Sequence, residues 1–186
     1  MTPKLPLLLA VSALLAVPLA AQAVTYQFNA SLTGAQEATP VITAASGVAT
    51  LFYDDMGTAL TTDDSYSFSM SALGLSGVAT GYHIHAAAAP GFNVGVKVNL
   101  ANLPFVSLNF GGTVLVGGSG VATPYAGFLT DLQAGLAYVN IHTSANRGGE
   151  IRGQLMQVAV VPEPSTYALL LAGIGMIGML ARRRRG

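Results

Sequence analysis

Apolar and polar residues alternate through the middle of the chain with a period of two. Val24, Tyr26, Phe28, Ala30 and Leu32 are interleaved with Thr25, Gln27, Asn29 and Ser31, the pattern of a strand with one buried face. Tyr66, Phe68 and Met70 alternate with serines, and Val94, Val96, Val98 and Leu100 alternate with Gly95, Lys97 and Asn99. Further strands are expected at Val48 to Tyr53, Val78 to His85, Val106 to Phe110, Thr113 to Val116, Leu136 to His142 and Glu150 to Val158. Asp54-Asp55-Met56-Gly57 and Gly117-Gly118-Ser119-Gly120 read as turns. Only Phe128 to Gln133 has the spacing of a helical turn. Many short strands with frequent glycine predict an all-β, antiparallel, Greek-key-like sandwich or barrel.

The two ends depart from this pattern. Lys4 precedes the apolar run Leu5 to Leu19, and Ala21-Gln22-Ala23 supplies small residues at minus three and minus one. That order predicts a signal peptide over residues 1–23, cut after Ala23 by signal peptidase following export through the Sec machinery. An uncleaved membrane anchor is the rival reading, but Pro6 and Pro18 interrupt the run, which is short for a span of about 20 residues. At the other end Val161-Pro162-Glu163-Pro164-Ser165 leads into an uncharged stretch, Thr166 to Ala181, followed by Arg182, Arg183, Arg184 and Arg185. From Ser165 the stretch covers about 17 residues, near the lower limit for a transmembrane helix. The arginines favour the cytoplasmic side and leave the domain outside.

The ordered set of Pro-Glu-Pro motif (161–165), helix (about 166–181) and terminal arginine cluster (182–185) resembles the PEP-CTERM sorting signal. The resemblance implies that residues 161–186 are recognised by an exosortase, a membrane cysteine protease-transpeptidase of exopolysaccharide-producing Gram-negative bacteria. The anchor would then hold the protein in the inner membrane only transiently, before the cell surface or extracellular space. Pro162 and Pro164 keep their segment extended and unpaired, a form that a protease accepts.

Removing both ends from the 186 residues leaves a folding unit of Val24 to Val160, long enough to bury a core without disulfides. The chain has no Cys, which excludes a thiol nucleophile, a Cys-ligated zinc and an iron–sulfur site. The formal net charge of zero hides a segregation. Within the folding unit Lys97, Arg147 and Arg152 face Glu37, Asp54, Asp55, Asp63, Asp64, Asp131 and Glu150, a balance of minus four. A weakly acidic domain lacks the basic stripe that nucleic acid needs.

Several blocks carry a second resemblance. They are Ala30-Ser31-Leu32-Thr33-Gly34-Ala35-Gln36-Glu37 with Pro40, Ala72-Leu73-Gly74-Leu75 before Tyr82-His83-Ile84-His85, Gly135 to Thr143, and Gly148-Gly149-Glu150-Ile151-Arg152-Gly153-Gln154-Leu155. Together they resemble the CHRD domain, over most of Val24 to Gln157, and assign residues 24–160 to it. Ala86 to Ala89 depart from the glycines the family often has after its His-x-His.

His83 and His85 are two apart on a predicted strand and leave the same face. His142 ends another strand whose Val139 and Ile141 take the buried side. Neutral imidazoles at this spacing suit copper or zinc. The arrangement is similar to the Cu,Zn superoxide dismutase sandwich, where a His-x-His strand and a late His-bearing strand supply copper ligands, and it implies that architecture or a related immunoglobulin-like one. There is no fourth His, no Cys pair and no copy of the zinc loop. The other reading is that His83 and His142 bond to neighbouring strands or loop carbonyls. Glu150 and Arg152, also two apart, read as a structural pair. The Asp54-Asp55 and Asp63-Asp64 pairs are candidates for calcium, or solvated turn carboxylates.

The sequence therefore predicts a non-catalytic exported surface or matrix module, sorted by an exosortase and retained near exopolysaccharide in a biofilm. Its alternative is a histidine-based copper or zinc protein, with redox chemistry, of superoxide-dismutase-like fold.

Overall fold

A computed structural model describes residues 23–159 and 164–184. The signal segment with Ala21, the motif residues Pro162 and Glu163, and Arg185 lie outside the described residues.

Ten strands form one antiparallel sheet: β1 (Thr25–Thr33), β2 (Ser46–Asp54), β3 (Ser65–Leu73), β4 (Ala79–His85), β5 (Val96–Asn99), β6 (Phe105–Phe110), β7 (Thr113–Val121), β8 (Tyr138–Thr143), β9 (Ile151–Gln154) and β10 (Met156–Gln157). The order is β5-β4-β8-β9-β1-β2-β3-β7-β6, with β10 also on β1. The expected all-β antiparallel class holds. Two separate sheets do not form, because each strand on this path hydrogen-bonds to the next. The sheet curls instead, and its ends meet through side chains. Tyr82 Oη of β4 bonds Ser107 Oγ of β6 at 2.6 Å. The Asn109 amide of β6 both accepts from the Ala79 N–H and donates to the Ala79 carbonyl.

The period-two pattern explains the interior. Phe28, Leu32, Leu51, Tyr53, Phe68 and Met70 point inward from β1 to β3, and Tyr82, Ile84, Val139, Ile141 and Ile151 point inward from the other side of the curl into the same cluster. Phe128 and Leu132 of α1 (Phe128–Gln133) close one end, where Phe128 packs edge-on against Tyr53 at 5.9 Å.

Two expectations are corrected. The Gly117 to Gly120 run is not a turn but part of β7, paired with Ser69 to Tyr66 of β3. Glycine is required there by close approach. A Cβ on Gly120 would stand 2.5 Å from Tyr66 Oη, and one on Gly118 2.7 Å from the Pro104 carbonyl. The Val94 to Leu100 strand shortens to Val96–Asn99 at the sheet edge, where Val96 is exposed and only Leu100, just beyond it, is fully buried. The C-terminal segment is helical, α2 (Pro164–Arg183), but among the described residues no helix is long and apolar enough to cross a membrane.

Candidate functional site

On β4, β8 and β9, the residues that point away from the core are nevertheless covered. Register pairs His83 with Asn140 and Asn140 with Arg152, while His85 pairs with Tyr138 and Tyr138 with Gln154. His85, Asn140, Arg152 and Gln154 are all buried. The segment between β4 and β5 lies over them, held by its own carbonyls. Arg152 donates to the Phe92 and Ala89 carbonyls, and Gln154 Nε2 donates to Ala88 O at 2.8 Å and Gly135 O at 2.7 Å. A polar second core results.

The three histidines converge in it, as the spacing predicted. One ring nitrogen of each of His83, His85 and His142 lies within 4.8 Å of the other two, the one such grouping of His, Cys, Asp or Glu among the described residues. Their tautomers follow from their partners. His85 Nδ1 faces the Val94 carbonyl at 2.8 Å and His142 Nδ1 faces the Arg147 carbonyl at 2.9 Å. A carbonyl only accepts, so both Nδ1 atoms carry the proton and both Nε2 atoms keep a free lone pair. Those two Nε2 atoms and His83 Nδ1 are buried with no hydrogen-bond partner among the described residues.

Burial, and then the neighbouring His142 and His85, push the His83 ring down to a pKa of about 4. Burial also lowers His85, despite the opposing bond to Val94. His83 and His85 are therefore held toward the neutral, lone-pair-donating state, which is the ligating form. Nitrogens bound tetrahedrally at about 2.0–2.1 Å to one ion stand about 3.4 Å apart, so from separations within 4.8 Å a contraction of at most about 1.5 Å between any two rings seats a copper or zinc ion. His85 is braced by a stack: its ring lies parallel to Tyr138 at 4.7 Å, and Arg152 Cζ lies 3.4 Å from the Tyr138 centroid.

Glu150 and Arg152 do not pair with each other. Glu150 immediately precedes β9, and its carboxylate accepts from Thr43 Oγ1, Ser76 N, Ser76 Oγ and Thr143 Oγ1. Burial alone would raise this carboxyl, but the bonds from Ser76, Thr143 and Thr43 outweigh it and hold it at about 2. Both residues are internal clamps.

The aspartate pairs are spent on turns. Asp55 Oδ1 accepts from Val24 N and Gly57 N, Asp54 Oδ1 from Met56 N, Asp63 from Thr58 Oγ1, and the buried Asp64 from Tyr53 Oη.

Glu37 was missed by sequence reasoning. It is only 6 % exposed. Its Oε2 accepts from Asn140 Nδ2 at 3.1 Å, while Glu37 Oε1 and Asn140 Oδ1 are both buried without partners. Burial raises its pKa to about 7, against the Asn140 bond and the Arg152 charge. The pair closes on Gly149, whose φ of +130° suits only glycine and whose Cβ would stand 2.6 Å from Glu37 Oε1. The signal in the sequence was a lone acid in an otherwise neutral stretch.

Fold and cluster together define an antiparallel, all-β domain with a cluster of three histidines set in a polar second core. Residues 28–155 match the model of the CHRD domain, and residues 160–185 match that of the PEP-CTERM protein-sorting motif. The chain belongs to the CHRD domain family. No curated protein and no solved structure matches it. The sorting motif implies export from a Gram-negative bacterium, a transient membrane stage and processing by an exosortase.

Proposed function

We propose that this chain is a non-catalytic surface domain that holds one copper or zinc ion at His83, His85 and His142 after release by the exosortase. Two observations carry the reading together: one ring nitrogen of each histidine lies within 4.8 Å of the other two, and each ring has a buried nitrogen with no partner among the described residues, the rings of His85 and His142 being oriented by backbone carbonyls at their other nitrogen. Carbonyls bonded behind the ligand are a recurrent means of fixing a metal-binding imidazole. A buried lone pair without a partner costs free energy in the apo protein, and coordination removes that cost.

When bound, the ion would supply a Lewis-acidic, electron-accepting centre. The chain's own residues orient the rings of His85 and His142 through the Val94 and Arg147 carbonyls, and burial favours the neutral form of His83 and His85. Retention beside exopolysaccharide is the setting the sorting signal suggests, and the serine-rich outer face of β3 with exposed Ser67 and Ser69 suits contact with hydroxylated polymers. Binding rather than turnover is favoured because Glu150 and Arg152 are fully engaged inside the fold.

The test is titration of the chelator-stripped exported chain with Cu(II) and Zn(II), beside the His83→Ala/His85→Ala double variant. One equivalent is expected in the parent and none in the variant. Equal uptake by both refutes the metal reading.

A further inference from the structure

Gly81 stands two residues before His83 on β4 and is the register partner of His142 on β8. Its backbone gives no reason for glycine, because its φ is outside the left-handed region and any residue adopts a strand conformation there. The reason is the His83 ring. A Cβ on Gly81 would stand 2.8 Å from His83 Cε1 and 3.2 Å from His83 Nε2. The ring thus folds back along its own strand and occupies the space a side chain at position 81 would fill. In that pose it reaches His142, at 5.2 Å between centroids, and leaves Nδ1 as the buried, partnerless nitrogen.

From this we infer that Gly81 is the positioning residue of the histidine site, and that it makes His83 ligate through Nδ1 while His85 and His142 ligate through Nε2. The inference rests on the metal-binding reading above. Strand neighbours two apart diverge little, so two adjacent imidazoles offering the same nitrogen would place their lone pairs side by side. Turning one ring back over a glycine brings its near nitrogen under the other's far nitrogen. A side chain at position 81 would force the His83 ring outward, toward solvent and away from His142.

A double-mutant cycle on the full-length chain tests this, with Cu(II) and Zn(II) as probes and Gly81→Ala, His83→Ala and their combination as variants. Gly81→Ala should weaken metal binding by about tenfold or more, the effect usual for groups that orient a ligand. In the His83→Ala background it should cost nothing further, since its effect passes through that ring. A structural role would weaken both backgrounds alike and would overturn the inference, as would parent-like binding by Gly81→Ala. A metal-free readout separates this from failure of the metal reading. In the apo parent, NMR should give a strong cross-relaxation peak between His83 Hε1 and the Gly81 α-protons, and its absence refutes the ring pose. If the peak is present but the parent binds no metal, the functional reading fails and takes the ligating role of Gly81 with it.

Discussion

Replacing Glu37 by Gln should make the domain more stable at pH 8 and leave it unchanged at pH 4. Glu37 Oε1 and Asn140 Oδ1 are two acceptors facing the same point above Gly149, with no donor between them. One proton on Glu37 repairs both defects: Oε1–H donates to Asn140 Oδ1 while Oε2 keeps its bond from Asn140 Nδ2, giving a closed acid–amide pair. Burial, against the Asn140 bond and the Arg152 charge, raises the pKa to about 7 from 4.5 for the free group, so the proton is retained well into the range where the pair can form. Its sign follows from proton counts. Between pH 4.5 and 7 the folded state holds a proton the unfolded state has lost, so this group's stabilisation is full below 4.5 and is lost as pH rises through 7. The shift corresponds to about 3 kcal/mol at 1.36 kcal/mol per unit. A Gln amide reproduces the neutral pair at every pH. Urea unfolding of parent and Glu37→Gln at pH 4, 6 and 8, with chelator present, should show equal stability at pH 4 and a variant about 3 kcal/mol more stable at pH 8. Subtracting the two profiles cancels the opposite contribution of His83, whose lowered pKa costs stability as pH falls from 6.5 through about 4. Parallel profiles would refute the protonated pair.

Glu150→Gln should have the reverse effect, losing about 2–3 kcal/mol at pH 7 in urea unfolding and little below about pH 2, because this carboxyl's stability is present above 4.5 and lost as pH falls through about 2. Intact-mass measurement of the exported protein should give a chain starting at Val24; a mass that includes Met1 would defeat the signal assignment. Replacing Pro162, Glu163 and Pro164 together should leave the protein in the inner membrane with its C-terminal helix uncut, scored by fractionation and immunoblot, and release as efficient as the parent's would overturn the sorting assignment. Uptake of Cu(II) should weaken on acidification, with competition at His83 delayed toward pH 4 by its depressed pKa.

Strand periodicity located every strand of the sheet, because one-sided burial writes a period of two directly into the chain: Phe28, Ala30 and Leu32 are buried and Asn29 and Ser31 exposed. It failed where a strand's character is set by a distant partner. Gly117 to Gly120 look like a turn in isolation and become strand only because β3 supplies a ladder and Tyr66 and Phe105 supply the bulk the glycines lack. The curl of a single sheet was equally hidden, since the contacts that close it, such as Tyr82 with Ser107, join residues 25 apart across the barrel. The histidine cluster was legible from i, i+2 spacing plus one late strand, but the nitrogen each ring presents was not. That depends on the carbonyls of Val94, which alternates like a strand residue but lies before β5, and of Arg147, in the turn between β8 and β9.

Two of the buried carboxyls, Glu37 and Glu150, show how the polar layer sorts its charges. Glu150 and Glu37 are about equally removed from water, yet one is held near pH 2 and the other near 7. Desolvation pushes both upward; the difference lies in donors. Glu150 receives hydroxyl and amide hydrogens from three segments, enough to keep a carboxylate ionised in the interior. Glu37 receives a single amide hydrogen, and the nearby Arg152 spends its guanidinium on the Phe92 and Ala89 carbonyls and on the face of Tyr138. The neutral form of Glu37 therefore persists up to about pH 7. One carboxyl stays ionised where three segments supply donors and the other keeps its proton where a single amide does, so in this layer the supply of donors, and not the depth of burial, sets which acid carries charge.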